Sequence, residues 1–519
     1  MALSPLATQT PGVYIDERNA FPSSVVEVAT AVPAFIGYTP RASYEGKSYY
    51  NKPVKVTSFN EFKAYFMNET GSQYDPQYYF TKVDAEPEKG NSFHLNGDIY
   101  TAEPDPGTIY YLYNSIRLFY QNGGGPAYIV SVGPYGAPTA SPVGAGEAII
   151  NPNVKLAELQ KGLELLQKVD EVTIYVVPEA TLMSTDDNST LMASMLVQNG
   201  QMGTAVSLFD VVGGNAPDPI QYTEDIKTFR NSTGNNFLKY GVAYYPFLNT
   251  TVTSNSEIGY GNINGGDTSV LAPIVNPDAA PNPVAEQILK NIAEPPEGLT
   301  PSQLNQALMN SSKQYQQVMK ILNEQVNVLP PSGAMAGIYT LVDNTKGVWN
   351  APANVSPIGA VDLTLQINDN MQAGLNVDAV SGKSINAIRF FNGQGILVWG
   401  ARTLDGNSLD WRYINVRRTV TMIEQSVKLA SRLYVFAPND ANTWQTVKSM
   451  IENFLSNMWK QGALQGAVPA DAFSVSIGLG STMTGLDLLE GIMRVSVKIA
   501  VVRPAEFIHI EVEQQMAKS

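Results

Sequence analysis

Cysteine is absent from the 519-residue chain, and its two histidines are His94 and His509. The absence of cysteine excludes disulfide bonds and thiolate metal sites, and it fits synthesis in a reducing compartment. Neither histidine belongs to an arrangement of His, Asp and Glu that specifies a metal site. We therefore expect the protein to use no metal and no other cofactor.

Export signals and long hydrophobic runs are also missing. The first charged residue is Asp16 and the first basic residue is Arg18, so the basic start of a secretory signal is absent. Apolar runs such as Val172–Val177 are far shorter than the roughly 20 residues that a membrane span needs. We expect no direct insertion into a membrane.

Positive charge is scarce, because 33 Lys and Arg face 47 Asp and Glu for a net charge of −14. Nucleic-acid binding needs clustered basic residues that neutralise phosphate, so this composition argues against it. With 44% hydrophobic residues, the chain can bury sizeable cores. A single core stops growing near roughly 250–300 residues, so at least two domains are expected.

Strand-like and helix-like segments alternate through the middle of the chain. The strands are predicted at Ala127–Val132, Val172–Val177, Ala205–Val212 and Tyr240–Leu248, and the helices at Lys155–Val169, Thr190–Asn199 and Thr223–Arg230. Such alternation is typical of an α/β fold with a mostly parallel sheet. Residues 40–110 show weak periodicity and receive no regular fold, and Thr251–Gly298 is predicted to be a long loop or insertion.

The remaining elements are predicted from their end signals and apolar spacing. One helix is expected at Pro301–Val328, begun by Thr300 as N-cap with Gln303 in a capping box. A strand is expected at Ile388–Trp399, followed by two amphipathic helices, the second capped by Asn439 or Asp440. Two strand-like runs, Met493–Val502 and Glu506–Glu513, close the sequence.

Glu179 and Asp210 are the one pair of residues that suggests catalysis. Both lie at the carboxyl ends of predicted parallel strands, where ligands of open parallel sheets usually bind. Two carboxylates there could perform acid–base chemistry, although no His, Cys or Lys accompanies them. A doubly wound α/β enzyme is therefore kept as an alternative.

Residues 382–432 hold eight basic and three acidic residues, a local charge of +5. One interpretation is a solvated helix face with internal arginine pairs; the other is a docking surface for a protein partner. The residues concerned are Arg402, Arg412, Arg417, Arg418 and Lys428.

Short strand-competent segments lie near both ends of the sequence, at Pro11–Asp16 and Phe507–Val512. Terminal segments fray unless a sheet captures them. Each segment could pair within its own subunit, or it could add a strand to the sheet of a neighbour. The residues predicted to take part are Pro11, Val13, Tyr14, Ile15, Phe507, Ile508, Ile510 and Val512.

Several motifs resemble those of the contractile tail sheath proteins of phages and phage-like injection systems. The most informative block runs from Val398-Trp-Gly-Ala-Arg-Thr403 to Trp411-Arg-Tyr-Ile-Asn-Val-Arg-Arg418. Similar motifs stand at Pro11-Gly-Val-Tyr-Ile15, Gly347-Val-Trp-Asn-Ala-Pro-Ala-Asn354 and Arg503-Pro-Ala-Glu-Phe507. They occur in the family's order along nearly the whole chain.

The resemblance implies a multidomain α/β protein. Residues 1–30 and 346–519 would form a conserved domain next to an inner tube, ending in a strand-exchange arm at about 503–519. Residues 31–345 would form a middle α/β domain with insertions near 40–110 and 250–300. The arginines listed above would then dock on the tube or form core ion pairs.

The resemblance also implies a structural function without enzymatic activity. Subunits would stack as hexameric rings around the inner tube, together with baseplate and terminator or cap proteins, and contract to drive the tube through a target envelope. The protein would be made in the bacterial host cytoplasm as part of a phage tail or phage-like particle. A non-contractile shell protein is the remaining alternative.

Overall fold

The computed structural model describes residues 25–67, 75–88, 90, 92–277 and 281–508. The chain divides into two compact units. The small unit comprises Met1–Val28 and Met422–Val502, and the large unit comprises Ala29–Thr421 and Arg503–Ser519. The units divide after residues 28, 421 and 502, whereas the sequence predicted domain boundaries after residues 30 and 345. Strands beyond residue 380 belong to the sheet of the large unit.

The large unit contains strands of very different length. In chain order they are β1 (Pro33–Tyr38), β2 (Ser43–Tyr44), β3 (Lys47–Ser48), β4 (Val54–Val56), β5 (Tyr78–Val83), β6 (Ser92–Leu95), β7 (Asp98–Pro104), β8 (Ala127–Gly133), β9 (Ile174–Val176), β10 (Val206–Asp210), β11 (Gly241–Tyr245), β12 (Leu248–Thr250), β13 (Val328–Leu329), β14 (Ala360–Leu363), β15 (Asn386–Phe391) and β16 (Gly395–Val398).

Helices separate most of these strands. They are α1 (Phe59–Phe66), α2 (Leu112–Gln121), α3 (Leu156–Leu165), α4 (Thr185–Met202), α5 (Tyr222–Ser232), α6 (Thr268–Val275), α7 (Pro283–Ala293), α8 (Pro301–Ser311), α9 (Lys313–Val326), α10 (Ser332–Lys346), α11 (Asp369–Asn376) and α12 (Ile414–Ser431), whose last residues belong to the small unit. Short 3-10 helices occur at Pro106–Thr108, Leu166–Lys168, Pro178–Leu182, Leu238–Tyr240, Tyr260–Asn262 and Asn264–Gly266.

An eight-stranded sheet forms the centre of the large unit, in the order β16-β15-β11-β10-β9-β1-β8-β4. The strands from β15 to β8 are parallel, and the edge strands β16 and β4 are antiparallel. The order reverses at β1, because the chain first adds β8 on one side and then β9 on the other. This arrangement confirms the predicted α/β class and its mostly parallel sheet.

Several local predictions were wrong in instructive ways. The helix expected at Pro301–Val328 is two helices, because Ser312 leaves the helical conformation and caps α9 through its hydroxyl. The strand expected at Ile388–Trp399 is the hairpin of β15 and β16, turned at Gly393, whose φ is 78°. The capping box of Thr300 and Gln303 is confirmed.

Both segments that received no regular fold contain ordered elements. Residues 78–104 form an antiparallel sheet in the order β5-β7-β6, and α6 and α7 lie within the predicted loop of 251–298. The loop prediction failed because its Asn, Gly and Pro residues include helix starts: Asn282 caps α7 and Pro283 is its first residue.

The small unit contains α13 (Ala441–Lys460), α14 (Pro469–Ala472), β17 (Phe473–Ile477), α15 (Gly485–Leu489) and β18 (Val495–Ile499), and a 3-10 helix at Arg432–Tyr434. Asp440 caps α13 by accepting from Thr443 N at 2.9 Å. The apolar stripe predicted on α13 is buried, and α13 packs on β17. β17 and β18 pair antiparallel from Phe473↔Ile499 to Ile477↔Val495.

Two glycines allow α10 to lie directly against the backbone of α2. A Cβ at Gly333 would come within 2.6 Å of Ser115 O, and one at Gly337 within 2.5 Å of Phe119 O. Both distances are shorter than real Cβ contacts, and the obstacle in each case is main chain. The spacing of four residues places the two glycines on one helix face.

We predict that Gly337→Ala lowers the unfolding free energy by about 1–3 kcal/mol, because the added methyl forces two packed helices apart. Urea denaturation followed by far-UV circular dichroism would measure the change.

Gly374→Ala in α11 is the matched control, because a Cβ there meets nothing within 4 Å. The gain in helix propensity should raise stability by up to about 1 kcal/mol. Equal effects of the two substitutions would contradict the close-packing argument.

Candidate assembly site

The two-stranded sheet of β17 and β18 is incomplete within the described part of the chain. Each strand has one neighbour there and therefore one edge without a paired strand. Val475 is buried on one face of this sheet. The opposite face carries exposed polar residues: Ser474, Ser476, Ser496 and Lys498. Two-stranded sheets are marginally stable alone, and unpaired edges readily accept an added strand. The small unit thus offers two edges for strands from elsewhere.

The terminal segments predicted to supply such strands are partly described. Phe507 and Ile508 are 66% and 78% exposed and form no strand with their own subunit. Their apolar side chains are therefore open to contact with another surface. The other predicted strand residues lie outside the described residues: Pro11, Val13, Tyr14, Ile15, Ile510 and Val512.

Arg402 is buried and binds Glu506 with two parallel hydrogen bonds. Its Nε donates to Oε1 at 2.9 Å, and its Nη2 donates to Oε2 at 2.7 Å. Asn376 Nδ2 donates to Oε1 at 2.8 Å and Tyr413 OH to Oε2 at 3.0 Å. Burial raises the pKa of Glu506, but the hydrogen bonds from Arg402 and Asn376 outweigh it and hold the pKa below its usual value. The carboxylate is thus held in its charged form.

Arg418 forms a second pair, with Asp343, in which both side chains are at most 4% exposed. Nη2 donates to Oδ2 at 2.6 Å and Nη1 to Oδ1 at 2.9 Å. The guanidinium lies 4.6 Å from the ring centre of Tyr339. Thr30 joins the pair, because its hydroxyl donates to Asp343 at 2.6 Å and its carbonyl accepts from Arg418 at 3.0 Å.

The other three predicted basic residues differ from these two. Arg417 is 1% exposed, its guanidinium lying 4.3 Å from the ring centre of Trp411, and its Nε donates to Thr421. Arg412 is half-buried and donates to Ser408 O, and Lys428 is exposed. The structure therefore encloses Arg402, Arg417 and Arg418 within the large unit and leaves Lys428 at the surface.

The carboxylates opposite the arginines are the functional residues that sequence reasoning missed. Asp343 lies 75 positions from Arg418, and Glu506 lies 104 positions from Arg402, so local spacing gave no signal. The available signal was chemical: three buried arginines require buried acceptors. Glu506 stands inside the motif Arg503-Pro-Ala-Glu-Phe507, where it could have been found.

Comparison with known proteins shows similarity to tail sheath proteins. Residues 407–515 match the phage tail sheath C-terminal domain. The helical sheath of the anti-feeding prophage in its contracted state has the same fold at 27% identity, with a TM-score of 0.57, over 98% of this chain and 100% of that chain. The resemblance to contractile tail sheath proteins is confirmed.

Further similar proteins carry the same description. The tail sheath proteins of Vibrio phage KVP40 and Burkholderia phage BcepMu are 25% and 27% identical over 142 residues, or 27% and 26% of this chain. These matches span only 21% and 29% of the two relatives' own lengths. The contracted PVC sheath shares the fold at 24% identity, with a TM-score of 0.56, over 98% of both chains.

The two carboxyl groups considered for catalysis cap helices in the sheath fold. Glu179 Oε1 accepts from Leu112 N, at the start of α2, at 2.9 Å. Asp210 Oδ1 accepts from Ser332 N, at the start of α10, at 2.9 Å. A helix start presents unpaired N–H groups and partial positive charge, which a carboxyl group satisfies. Both residues are buried, at 0% and 6% exposure.

The crevice at the reversal of strand order is itself occupied by Glu179. A Cβ at Gly37, in β1, would lie 2.4 Å from Glu179 Oε2. Ligands of doubly wound sheets bind at this point, beside the helix start that Glu179 caps. The protein's own side chain thus takes the place that an anionic ligand would occupy in an enzyme of this architecture.

The residues described contain no metal-binding cluster and no membrane-spanning helix. His94 is exposed beside Glu86, with 3.2 Å between Nε2 and Oε1, and His509 lies outside the described residues. In the described ranges, no group of three or more His, Cys, Asp and Glu could hold a metal ion. Nor does any helix in those ranges combine the length and hydropathy needed to cross a bilayer.

The buried carboxyl groups should make stability fall at high pH. Burial raises the pKa of Glu179 to about 8, against the hydrogen bond from Leu112, and that of Asp210 to about 7. The folded chain therefore keeps protons that the unfolded chain has already released. This stabilisation is complete below the usual carboxyl pKa and is lost as the pH rises through 7 and 8.

The unfolding free energy of wild type should fall between pH 6 and pH 9. We predict that Glu179→Gln makes this fall smaller by about 2 kcal/mol, because glutamine does not ionise. Urea denaturation at both pH values would measure it. Glu224→Gln on the exposed surface of α5 is the control and should leave the pH dependence unchanged. A wild type whose stability does not change between the two pH values would refute the prediction.

The same substitution at two basic residues of α12 should change the unfolding free energy by very different amounts. We predict that Arg418→Met costs about 3–5 kcal/mol, because it leaves the buried Asp343 carboxylate without its cation. Lys428→Met should change the unfolding free energy by less than about 0.5 kcal/mol, because Lys428 is exposed.

Chemical denaturation of the two variants side by side provides the measurement. A stable Arg418→Met protein would show that Asp343 is satisfied without the arginine. A large loss in Lys428→Met would show that this surface lysine contributes to the fold.

Proposed function

We propose that the chain is a structural subunit of a contractile sheath, which polymerises as stacked hexameric rings around an inner tube and contracts to drive that tube through a target envelope. The observation that carries this proposal is the shared fold, over 98% of this chain, with the contracted helical sheath of the anti-feeding prophage at 27% identity. The protein acts without catalysis, consistent with helix-capping roles for Glu179 and Asp210.

The sheet of β17 and β18 is the proposed junction between subunits. Segments Pro11–Asp16 and Phe507–Val512 of neighbouring copies would each add a strand to an open edge. About four backbone hydrogen bonds at ~1 kcal/mol net each would give a tether that persists while the rigid units move. The exposure of Phe507 and Ile508 supports this role for the second segment.

Contraction in this proposal is a change of lattice that needs no nucleotide. An extended sheath would be metastable, and each subunit would release a few kcal/mol on reaching the contracted arrangement. Because exchanged strands would link each subunit to its neighbours, a change in one ring would propagate to the next. Strand tethers allow this because they fix connectivity without fixing the orientation of the joined bodies.

The partners in this proposal are further copies of the chain, an inner tube protein, and the baseplate and cap proteins at the two ends. The anti-feeding prophage baseplate contains a chain of the same fold at 26% identity, with a TM-score of 0.57. Synthesis would occur in the bacterial host cytoplasm, followed by assembly into a phage tail or phage-like injection particle. Lys428, exposed on α12, and the half-buried Arg412 are the remaining candidates for charge contact with the tube.

Negative-stain electron microscopy of the purified chain tests the proposal. Hollow, ridged cylinders of the contracted type are expected, because the lower-energy lattice forms without tube or baseplate. A variant lacking residues 507–519 should remain folded and monomeric, because it loses the added strand but keeps Glu506.

A peptide of residues 506–513 supplies a second arm of the experiment. It should inhibit cylinder formation by occupying the strand edges, whereas a scrambled peptide of equal composition should not. Cylinders formed by the truncated variant would reject the strand-exchange mechanism. Failure of the intact chain to assemble, even with inner tube protein added, would reject the sheath function.

A further inference from the structure

The chain passes between its two compact units three times, at residues 28–29, 421–422 and 502–503. At each passage the segment on the large-unit side is bound by an arginine–carboxylate pair. The pairs are Arg418–Asp343 and Arg402–Glu506, whose arginines the sequence predicted to dock on the tube or form core ion pairs. Their position along the chain indicates a more specific role.

The pair Arg418–Asp343 holds the first two passages together. Thr30 follows the first passage directly and makes hydrogen bonds to both partners, as donor to Asp343 and as acceptor from Arg418. Arg418 itself lies just before the second passage, on α12. One buried ion pair therefore fixes an incoming segment to an outgoing helix.

The pair Arg402–Glu506 holds the third passage. Glu506 follows it and receives hydrogen bonds from three side chains, those of Arg402, Asn376 and Tyr413. No helix or strand orders residues 503–508, so this carboxylate is their principal side-chain anchor. The next residue, Phe507, begins the proposed arm.

We propose that Arg402–Glu506 and Arg418–Asp343 are positioning clamps, which fix the points where the three connecting segments leave the large unit. The Arg402–Glu506 clamp sets the root of the C-terminal arm that a second copy of this chain accepts. The placement of the arm for a second copy rests on the proposed sheath function. The positioning of the connecting segments concerns the isolated subunit alone.

Loss of the Arg402–Glu506 clamp would lengthen the part of the C-terminal arm that is not anchored. Without Glu506, the nearest upstream anchor is Val502, whose N–H donates to Ala463 O at 3.2 Å. The four added residues would give the arm roughly 13 Å of extra slack. A longer loose tether lowers the effective concentration of the arm at its acceptor edge, and it transmits displacement less directly.

The geometry of the clamp is also specific for arginine. Two parallel hydrogen bonds to one carboxylate define an orientation as well as a distance, which the single ammonium of lysine does not. Buried ion pairs add little net stability compared with apolar packing, so a geometric role explains their presence better than a stabilising one.

Spin labelling tests the clamps in the isolated subunit, since the chain has no cysteine and a single introduced one is labelled uniquely. Ala505→Cys and Ala29→Cys place nitroxides on exposed residues beside the two clamps. Glu506→Gln should shorten the rotational correlation time at position 505 by about twofold or more. Thr30→Val, which leaves the Arg418–Asp343 pair intact, should do the same at position 29.

Matched controls keep the result specific. Glu286→Gln breaks an exposed ion pair with Lys290 and should leave both labels unchanged. Arg402→Lys keeps the charge and should still increase mobility at position 505. Unchanged mobility in Glu506→Gln, or an equal change in Glu286→Gln, would overturn the clamp.

Assembly of the same variants separates the clamp from the sheath function. Glu506→Gln should form cylinders at least about tenfold more slowly than wild type, whereas the variant lacking residues 507–519 should form none. Increased mobility with an unchanged assembly rate would overturn the role in positioning the arm. If wild type itself forms no cylinders with tube protein present, the sheath function fails while the label data still decide on the clamp.

Discussion

Buried arginine is the constraint on which the organisation of this chain depends. A guanidinium has no neutral form near pH 7, so enclosing Arg402 and Arg418 is costly unless their charge is compensated, and a carboxylate accompanies each of them. The carboxylates come from distant parts of the sequence, at Glu506 and Asp343. Their pairing therefore fixes which distant segments meet. Those segments include all of the passages between the two units, so local electrostatics determines how the chain is threaded through the molecule.

A different kind of carboxyl chemistry organises the sheet of the large unit. Glu179 and Asp210 lie at the carboxyl ends of the neighbouring parallel strands β9 and β10, and each satisfies the start of a helix, α2 or α10. The same two helices approach each other through Gly333 and Gly337. Capping and close packing thus join the carboxyl edge of the sheet to one helix pair. In enzymes of this architecture the same position binds ligands, whereas here the protein's own side chains fill it.

The sequence predicted what depends on local pattern. Alternating apolar runs located β8 to β11, and the end signals at Thr300 and Asp440 placed two helix starts. It failed where one residue overrides a pattern, as Ser312 divides a continuous apolar stripe into α8 and α9. It also failed where the partner is remote, since nothing near Arg418 indicates Asp343. The family motifs gave the assembly function, but geometry alone separated enclosed arginines from exposed Lys428.

The two units differ in how much of their structure is completed within one chain. The large unit surrounds an eight-stranded sheet with its own helices and buries a continuous core. The small unit, in its described residues, ends in two strands whose outer edges are unpaired. Because unpaired edges favour an added strand, the proposed assembly would complete a sheet that is open in the described residues. In the proposed sheath, subunit association would resemble the last step of folding. The backbone hydrogen bonds of each added strand would form whatever the angle between neighbouring subunits. A polymer joined in this way can change its lattice without dissociating.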